Sequence, residues 1–269
     1  MSRTRLAFLL AVSLAVPLAG CGGSKAAPAT TTPAAPAPPA AVAEPTTADD
    51  VIERSLAAQG GRPALAKFTS MKQTGTLVIP QMGAKGTMML QAVPPRSSVM
   101  QLEIPGIGKI AQGVKDDVAW EMNPMTGARI VTGAERTLLL REATFGADLM
   151  WKELYPTSVL DGVVDFQGTP AYKVTLTAKE GDTQTRYFAK DTFLPLGVEM
   201  TVDSQMGKVP MTMKLSDHRE IAGVKFAHKM ERNEGQVTIE ITIDKIEPNV
   251  AIPATTFDLP PEIQKLQKK

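Results

Sequence analysis

Over residues 71 to 122 and again over 157 to 246 apolar and polar side chains alternate with a period of two, which commits these stretches to strands with one dry and one wet face. Val224, Phe226, His228 and Met230 share one face of their segment, while Lys225, Ala227, Lys229 and Glu231 share the other. Val237, Ile239, Ile241 and Ile243 stand opposite Thr238, Glu240, Thr242 and Asp244. Leu196, Val198, Met200 and Val202 stand opposite Glu199, Thr201 and Asp203 in the same way. Strands dry on one face pair into antiparallel sheets, because a parallel sheet is covered on both faces. The pattern predicts strands near 71 to 79, 84 to 92, 97 to 104, 107 to 114 and 117 to 122. A second series follows near 157 to 166, 169 to 178, 183 to 190, 194 to 203, 208 to 216, 223 to 232 and 236 to 246.

A sheet of that many strands must curl, and its dry face needs a cover. One cover is a helix capped by Asp49 or Asp50, with Val51, Ile52, Leu56 and Ala58 on its apolar face and Gly60 and Gly61 at its end. A short turn follows Pro63. The other cover is the segment 134 to 154, in which Leu138, Leu139, Leu149, Met150 and Leu154 can face inward. The fold class expected is therefore mostly β (α+β), a curved antiparallel incomplete barrel covered by helices. A few helical turns cannot seal so wide a face, which leaves room for a partly open apolar cavity. The expected cavity lining is Met88, Leu90, Met100, Leu102, Trp120, Met122, Leu138, Met150, Met200, Met211, Met213, Phe226, Met230, Ile239 and Ile241. Flexible thioethers adapt to ligands of variable shape, although methionines also fill irregular cores. Trp120 and Trp151 either line the cavity or simply pack.

The amino terminus reads as an address. Arg3 and Arg5 precede an apolar run from Leu6 to Leu18 that is short for a membrane span and suited to a secretory signal. The run ends in Leu18, Ala19, Gly20 and Cys21, which resembles a bacterial lipobox and implies lipidation of Cys21 after removal of residues 1 to 20. Two or three acyl chains on one cysteine make attachment effectively permanent, at about 0.8 kcal/mol per buried methylene. Residues 21 to 48 hold that cysteine and an Ala/Pro/Thr tract, which lacks the apolar residues needed to offset chain entropy. It reads as a disordered tether reaching about 50 to 80 Å if mostly polyproline-like. Gly22 in place of an aspartate favours, by resemblance to enterobacterial lipoproteins, the outer membrane facing the periplasm. Residues 49 to 269 form the remaining domain.

Composition removes several function classes. With 29 Lys and Arg against 28 Asp and Glu there is no basic footprint for nucleic acid. One cysteine and two histidines cannot build a disulfide framework, an ordinary four-ligand zinc site or an iron-sulfur cluster, and no cofactor is implied. His218 and His228 adjoin no nucleophile turn, metal pair or phosphate loop, so neither marks a catalytic constellation. Asp116 and Asp117 read as an acidic hairpin turn more readily than as a cation site.

The stretch Gly113-Val114-Lys115-Asp116-Asp117-Val118-Ala119-Trp120-Glu121-Met122-Asn123-Pro124 resembles the lipoprotein-carrier superfamily (LolA/LolB-like), whose hairpin reads roughly Asp-Gly-Lys-x-x-Trp-x-Tyr-Asn-Pro. Tyr187 to Thr192, Gly223 to Phe226 and Ile252 to Pro260 resemble later pieces of that family in the same order, and Ala57 to Leu65 resembles the start of related envelope proteins. The resemblance spans about 50 to 261. It implies an incomplete barrel, closed on one side by helices, whose interior receives acyl chains of a lipid or lipoprotein. The soluble carriers have a basic residue before the proline ending the second strand, whereas Val93, Pro94 and Pro95 here are followed by Arg96 alone. A permanently anchored chain cannot shuttle, so the expectation is a resident lipid-binding or acceptor lipoprotein rather than a shuttle; with no catalytic constellation in the sequence, it is not expected to be an enzyme. A filled barrel serving as an envelope structural or stress-sensing lipoprotein, with an unknown protein partner, is the alternative.

Overall fold

The computed structural model describes residues 43 to 204 and 207 to 268. The signal segment, Cys21 and most of the proposed tether lie outside the described residues. Thr47 opens the first helix, α1 (Ala48–Ala58), its Oγ1 accepting a hydrogen bond from the Asp50 N–H at 3.1 Å. The threonine is thus the cap in place of Asp49 or Asp50, which sit in the first turn against the positive helix end. At the other end of α1 the Lys225 N–H donates to the Gln59 carbonyl at 2.7 Å. A Cβ on Gly60 would lie 2.1 Å from the Gly223 carbonyl oxygen, and its φ is +130°, so only glycine permits this approach.

After α2 (Arg62–Leu65) come β1 (Met71–Ile79), β2 (Ala84–Val93), β3 (Ser97–Ile104), β4 (Gly108–Lys115), β5 (Val118–Asn123) and β6 (Gly127–Ile130). Then follow α3 (Gly133–Glu142) and α4 (Trp151–Leu154). The second series is β7 (Thr157–Phe166), β8 (Thr169–Thr177), β9 (Thr183–Ala189), β10 (Pro195–Ser204), β11 (Gly207–Ile221), β12 (Val224–Glu234) and β13 (Val237–Pro248), with α5 (Pro261–Gln267) last. Twelve of these strands fall on the period-two segments. β6, only four residues long, and α5 are additions that the pattern did not announce. The segment 134 to 154 is not one helix: Thr144 turns its hydroxyl back to the Leu140 carbonyl at 3.1 Å, and Gly146 at φ +70° ends the helical path before α4.

All thirteen strands form one antiparallel sheet in the order β6-β5-β4-β3-β2-β1-β13-β12-β11-β10-β9-β8-β7. Two meanders therefore meet where β1 pairs with β13, Leu77 facing Ile241. The sheet is curved and unclosed, with β6 and β7 as its edges. Residues 131 to 156, which carry α3 and α4, link one edge to the other.

Paired residues of an antiparallel ladder share a face. On the inner face, Val51 and Leu56 of α1 and Trp151 of α4 pack on Tyr172, Val174, Leu176 and Phe188. Leu77, Met88, Ile104, Val224 and Ile243 form a second inner cluster, and Leu139 and Leu140 of α3 cover Val114, Ala119 and Val131. The outer face is not wholly wet. Phe257 and Ile263, from the last residues of the fold, pack there on Val99, Ala111 and Trp120. A register shift between Pro195 and Gly197 sends Leu196 to the outer face as well, against Phe166, Ala171 and Tyr187, and so away from Val198 and Met200.

Candidate functional site

The helices leave space above the inner face. A cavity of about 330 Å³ lies between α1 and strands β9 to β12, and one of about 530 Å³ lies between residues 139 to 149 and strands β1 to β4 and β11 to β13. Volumes of this order are typical of pockets for small ligands. Glu142, Ala147, Asp148, Met211, Met213 and Phe226 border both, so the two are lobes of one space that narrows at the end of α3.

The walls follow from strand register. Gln73, Leu90, Met100 and Gln112 are successive neighbours across β1 to β4, and all four line the larger lobe. Met88, Met230 and Ile241 line it too, with Met211, Met213 and Phe226 contributing to both lobes and Met200 to the smaller. These are nine of the fifteen expected positions. Leu102 and Ile239 share the inner face but pack into the cluster around Leu77 and Ile243. Leu138 is half-buried and lines neither lobe, and Met150, before α4, is 43% exposed outside them.

Trp120 and Met122 lie on the opposite face from Met88 and Met100. Trp120 pairs with Gly113, where a Cβ would come within 2.6 Å of the indole, so the missing side chain gives the ring its bed. Alternation alone could not reveal this, because β5 is covered on both faces, by α3 within and by the carboxy-terminal residues without.

Sequence reasoning passed over Glu142, Phe68, Phe145 and Arg232, which all border the larger lobe. For Glu142 the available signal was its spacing of three from Leu139, which puts both on one helical face. Its side chain is exposed to the empty space at the junction of the lobes. Burial pushes its carboxyl above the usual carboxylate range, and the attraction of Arg232 and Arg141 only partly offsets this. The nearby guanidinium groups are engaged elsewhere. Arg141, 7% exposed in its side chain, bonds Asp182 at 3.2 Å and Glu180 at 3.3 Å and stacks over the Tyr155 ring. Arg186 donates to Asp148 at 3.0 Å, and Arg232 to Glu234 at 2.7 Å.

Of the two histidines, His228 is packed within the fold and His218 borders the smaller lobe. His228 is 3% exposed with its Nδ1 3.0 Å from the Phe226 carbonyl, and burial pushes the imidazole pKa of His218 down. Asp116 and Asp117 form the turn between β4 and β5, Asp116 at φ +55°. Among the described residues no group of His, Cys, Asp and Glu side chains could hold a metal ion.

No family model matches the sequence, and no curated protein does. Solved structures do match. A DUF1329 family protein from Desulfovibrio piger superposes with a TM-score of 0.55 at 15% identity, over 78% of this chain and 96% of that one. A putative outer membrane lipoprotein-sorting protein domain from Vibrio parahaemolyticus gives 0.52 at 12% identity, over 82% and 97%. A LolA superfamily protein from Nitrosomonas europaea gives 0.52 at 13% identity, over 80% and 99%. Superposition over nearly the whole length of each of these structures shows that this chain, with its unclosed antiparallel sheet under short helices, has a LolA-like fold.

Proposed function

We propose that this protein is a bacterial envelope lipoprotein that takes acyl chains of a lipid or lipoprotein into the space between sheet and helices. The observation that carries the reading is the larger lobe, about 530 Å³ walled by Phe68, Met88, Leu90, Met100, Met213 and Met230. Burial of six to eight methylenes there would contribute about 5 to 6 kcal/mol before ordering costs, a strength suited to exchange rather than permanent capture. Lipidation at Cys21 would hold the domain at the outer membrane on its Ala/Pro/Thr tether, facing the periplasm. An anchored domain of this kind acts as a resident acceptor in lipoprotein or lipid sorting, and the role is binding, without catalysis. The open lobe speaks against the alternative of a filled, purely structural barrel.

Protein purified from cells and extracted with organic solvent should release lipid detectable by mass spectrometry, and the emptied protein should bind a fluorescent fatty-acid probe. Recovery of no lipid together with no probe binding would refute the reading. Replacement of Cys21 by alanine should release the protein from the membrane fraction, which tests the anchor separately.

A further inference from the structure

The walls of the larger lobe are mostly apolar, yet a carboxylate borders its narrowing. Glu142 is exposed to this space, so its charge is solvated in the empty protein and needs a partner once a ligand displaces the solvent. The protein supplies none. Among the described residues Glu142 makes no hydrogen bond or ion pair, while Arg141, Arg186 and Arg232 each already face another carboxylate, Asp182 with Glu180, Asp148 and Glu234 respectively. Of the charged side chains lining the two lobes, the three arginines and Asp148 are paired, Lys225 stands exposed at the edge of the smaller lobe, and Glu142 is the one carboxylate without a bonded partner. Apolar walls with an unpartnered carboxylate at the junction fit an amphiphile that brings its own positive charge.

We propose that Glu142 determines head-group specificity, accepting hydrogen bonds from a protonated amine that adjoins the acyl chain of the ligand. The chain lies in the larger lobe against Met88, Met100 and Met230, and the amine sits between the lobes. The smaller lobe, bordered by Gln184 and His218, receives the rest of the head. This assignment rests on the lipid-binding reading and narrows its substrate class. The same chemistry is offered by an aminophospholipid and by the free α-amine of a lipidated cysteine.

The test compares dodecylamine with dodecanoate, equal in chain length and opposite in head charge, as competitors of a fluorescent lipid probe on the delipidated protein. The wild type should prefer the amine by at least about tenfold, as expected for a charge-assisted hydrogen bond. In Glu142→Leu, and in the nearly isosteric Glu142→Gln in case the first variant folds poorly, the ratio should collapse toward one. Equal affinity for both competitors in the wild type, or a preference that survives both substitutions, overturns the proposal while leaving lipid binding intact. Failure of the wild type to bind either compound or the probe overturns both. Lysophosphatidylethanolamine and a synthetic diacylated lipopeptide with a free amino terminus then separate the sources. Acetylation of whichever one binds should cost the same factor, and an unchanged affinity after acetylation counts against the amine.

Discussion

At the scale of single residues, Glu142 carries a consequence for stability as well as for binding. A carboxyl whose folded pKa lies above its unfolded value binds more protons in the native state than in the unfolded chain. Stability therefore falls as pH rises from the unfolded carboxylate value, about 4.3, to the raised folded value, and stays lowered above it. Glu142→Gln removes that penalty. In ligand-free protein its melting temperature should exceed that of the wild type at pH 7 and match it near pH 4, the gap opening as pH rises between. Each kcal/mol relieved corresponds to about 2 to 4 °C in a domain of this size. Thermal melts of the two proteins across pH 4 to 8 decide the matter, and parallel curves would show that Glu142 is not desolvated. The opposite case stands nearby. Glu53 is held below the usual carboxylate range by Arg62, which donates to it at 2.8 Å, with a further bond from the Trp151 indole, so its stabilising effect is kept at neutral pH and lost on acidification.

At the scale of elements, the last stretch of the chain decides which way one strand faces. Ile263 of α5 is fully buried, and with Phe257 it covers Trp120 on the outer side of the sheet. Ile263→Ala should cost about 2 to 5 kcal/mol. In a Trp151→Phe background, so that Trp120 alone reports, it should also shift the emission to the red, while added lipid should leave that emission unchanged. A lipid-dependent signal from Trp120 would place it at the cavity instead. The same element marks how far the sequence could be read. Period-two alternation located twelve strands because each has a hydrophobic side at least partly matched by a polar one. It gives the phase of a strand relative to itself, however, not which side is inside, and β5 is apolar toward both covers. Leu196 was lost to a single register shift, and β6 is too short to show a period. The inward methionines Met88, Met100, Met200, Met211, Met213 and Met230 were legible because their strands have exposed residues between them, such as Glu231 beside Met230. Glu142 was not, since α3 has no clean polar and apolar division and only the path of the chain from β6 to β7 brings its end over the sheet.

At the scale of the whole molecule, the topology explains why the space exists. Two meanders joined edge to edge through β1 and β13 bury one continuous inner surface, and a single connection between the far edges must both link and cover it. That connection divides its work: α4 joins α1 over β8 and β9, α3 covers β4 and β5 and comes close to β10 at its end, and the turn between them borders the space above β11 and β12 without filling it. The inner face is thus only partly covered, with space left on either side of the end of α3, so occupancy and stability should be coupled. A ligand present at a hundred times its dissociation constant adds about 2.7 kcal/mol to the native state, or roughly 5 to 11 °C at this size. Met230→Trp puts a larger apolar side chain into the larger lobe from a position that also packs against the inner cluster. It should weaken the fatty-acid probe at least about tenfold, keep or raise the melting temperature of the empty protein, and abolish most of the ligand-induced rise. A variant that melts lower and still binds would mean that Met230 belongs to a packed core. One that melts higher and no longer binds would establish that the unfilled volume above the inner face is where the chain of the ligand lies.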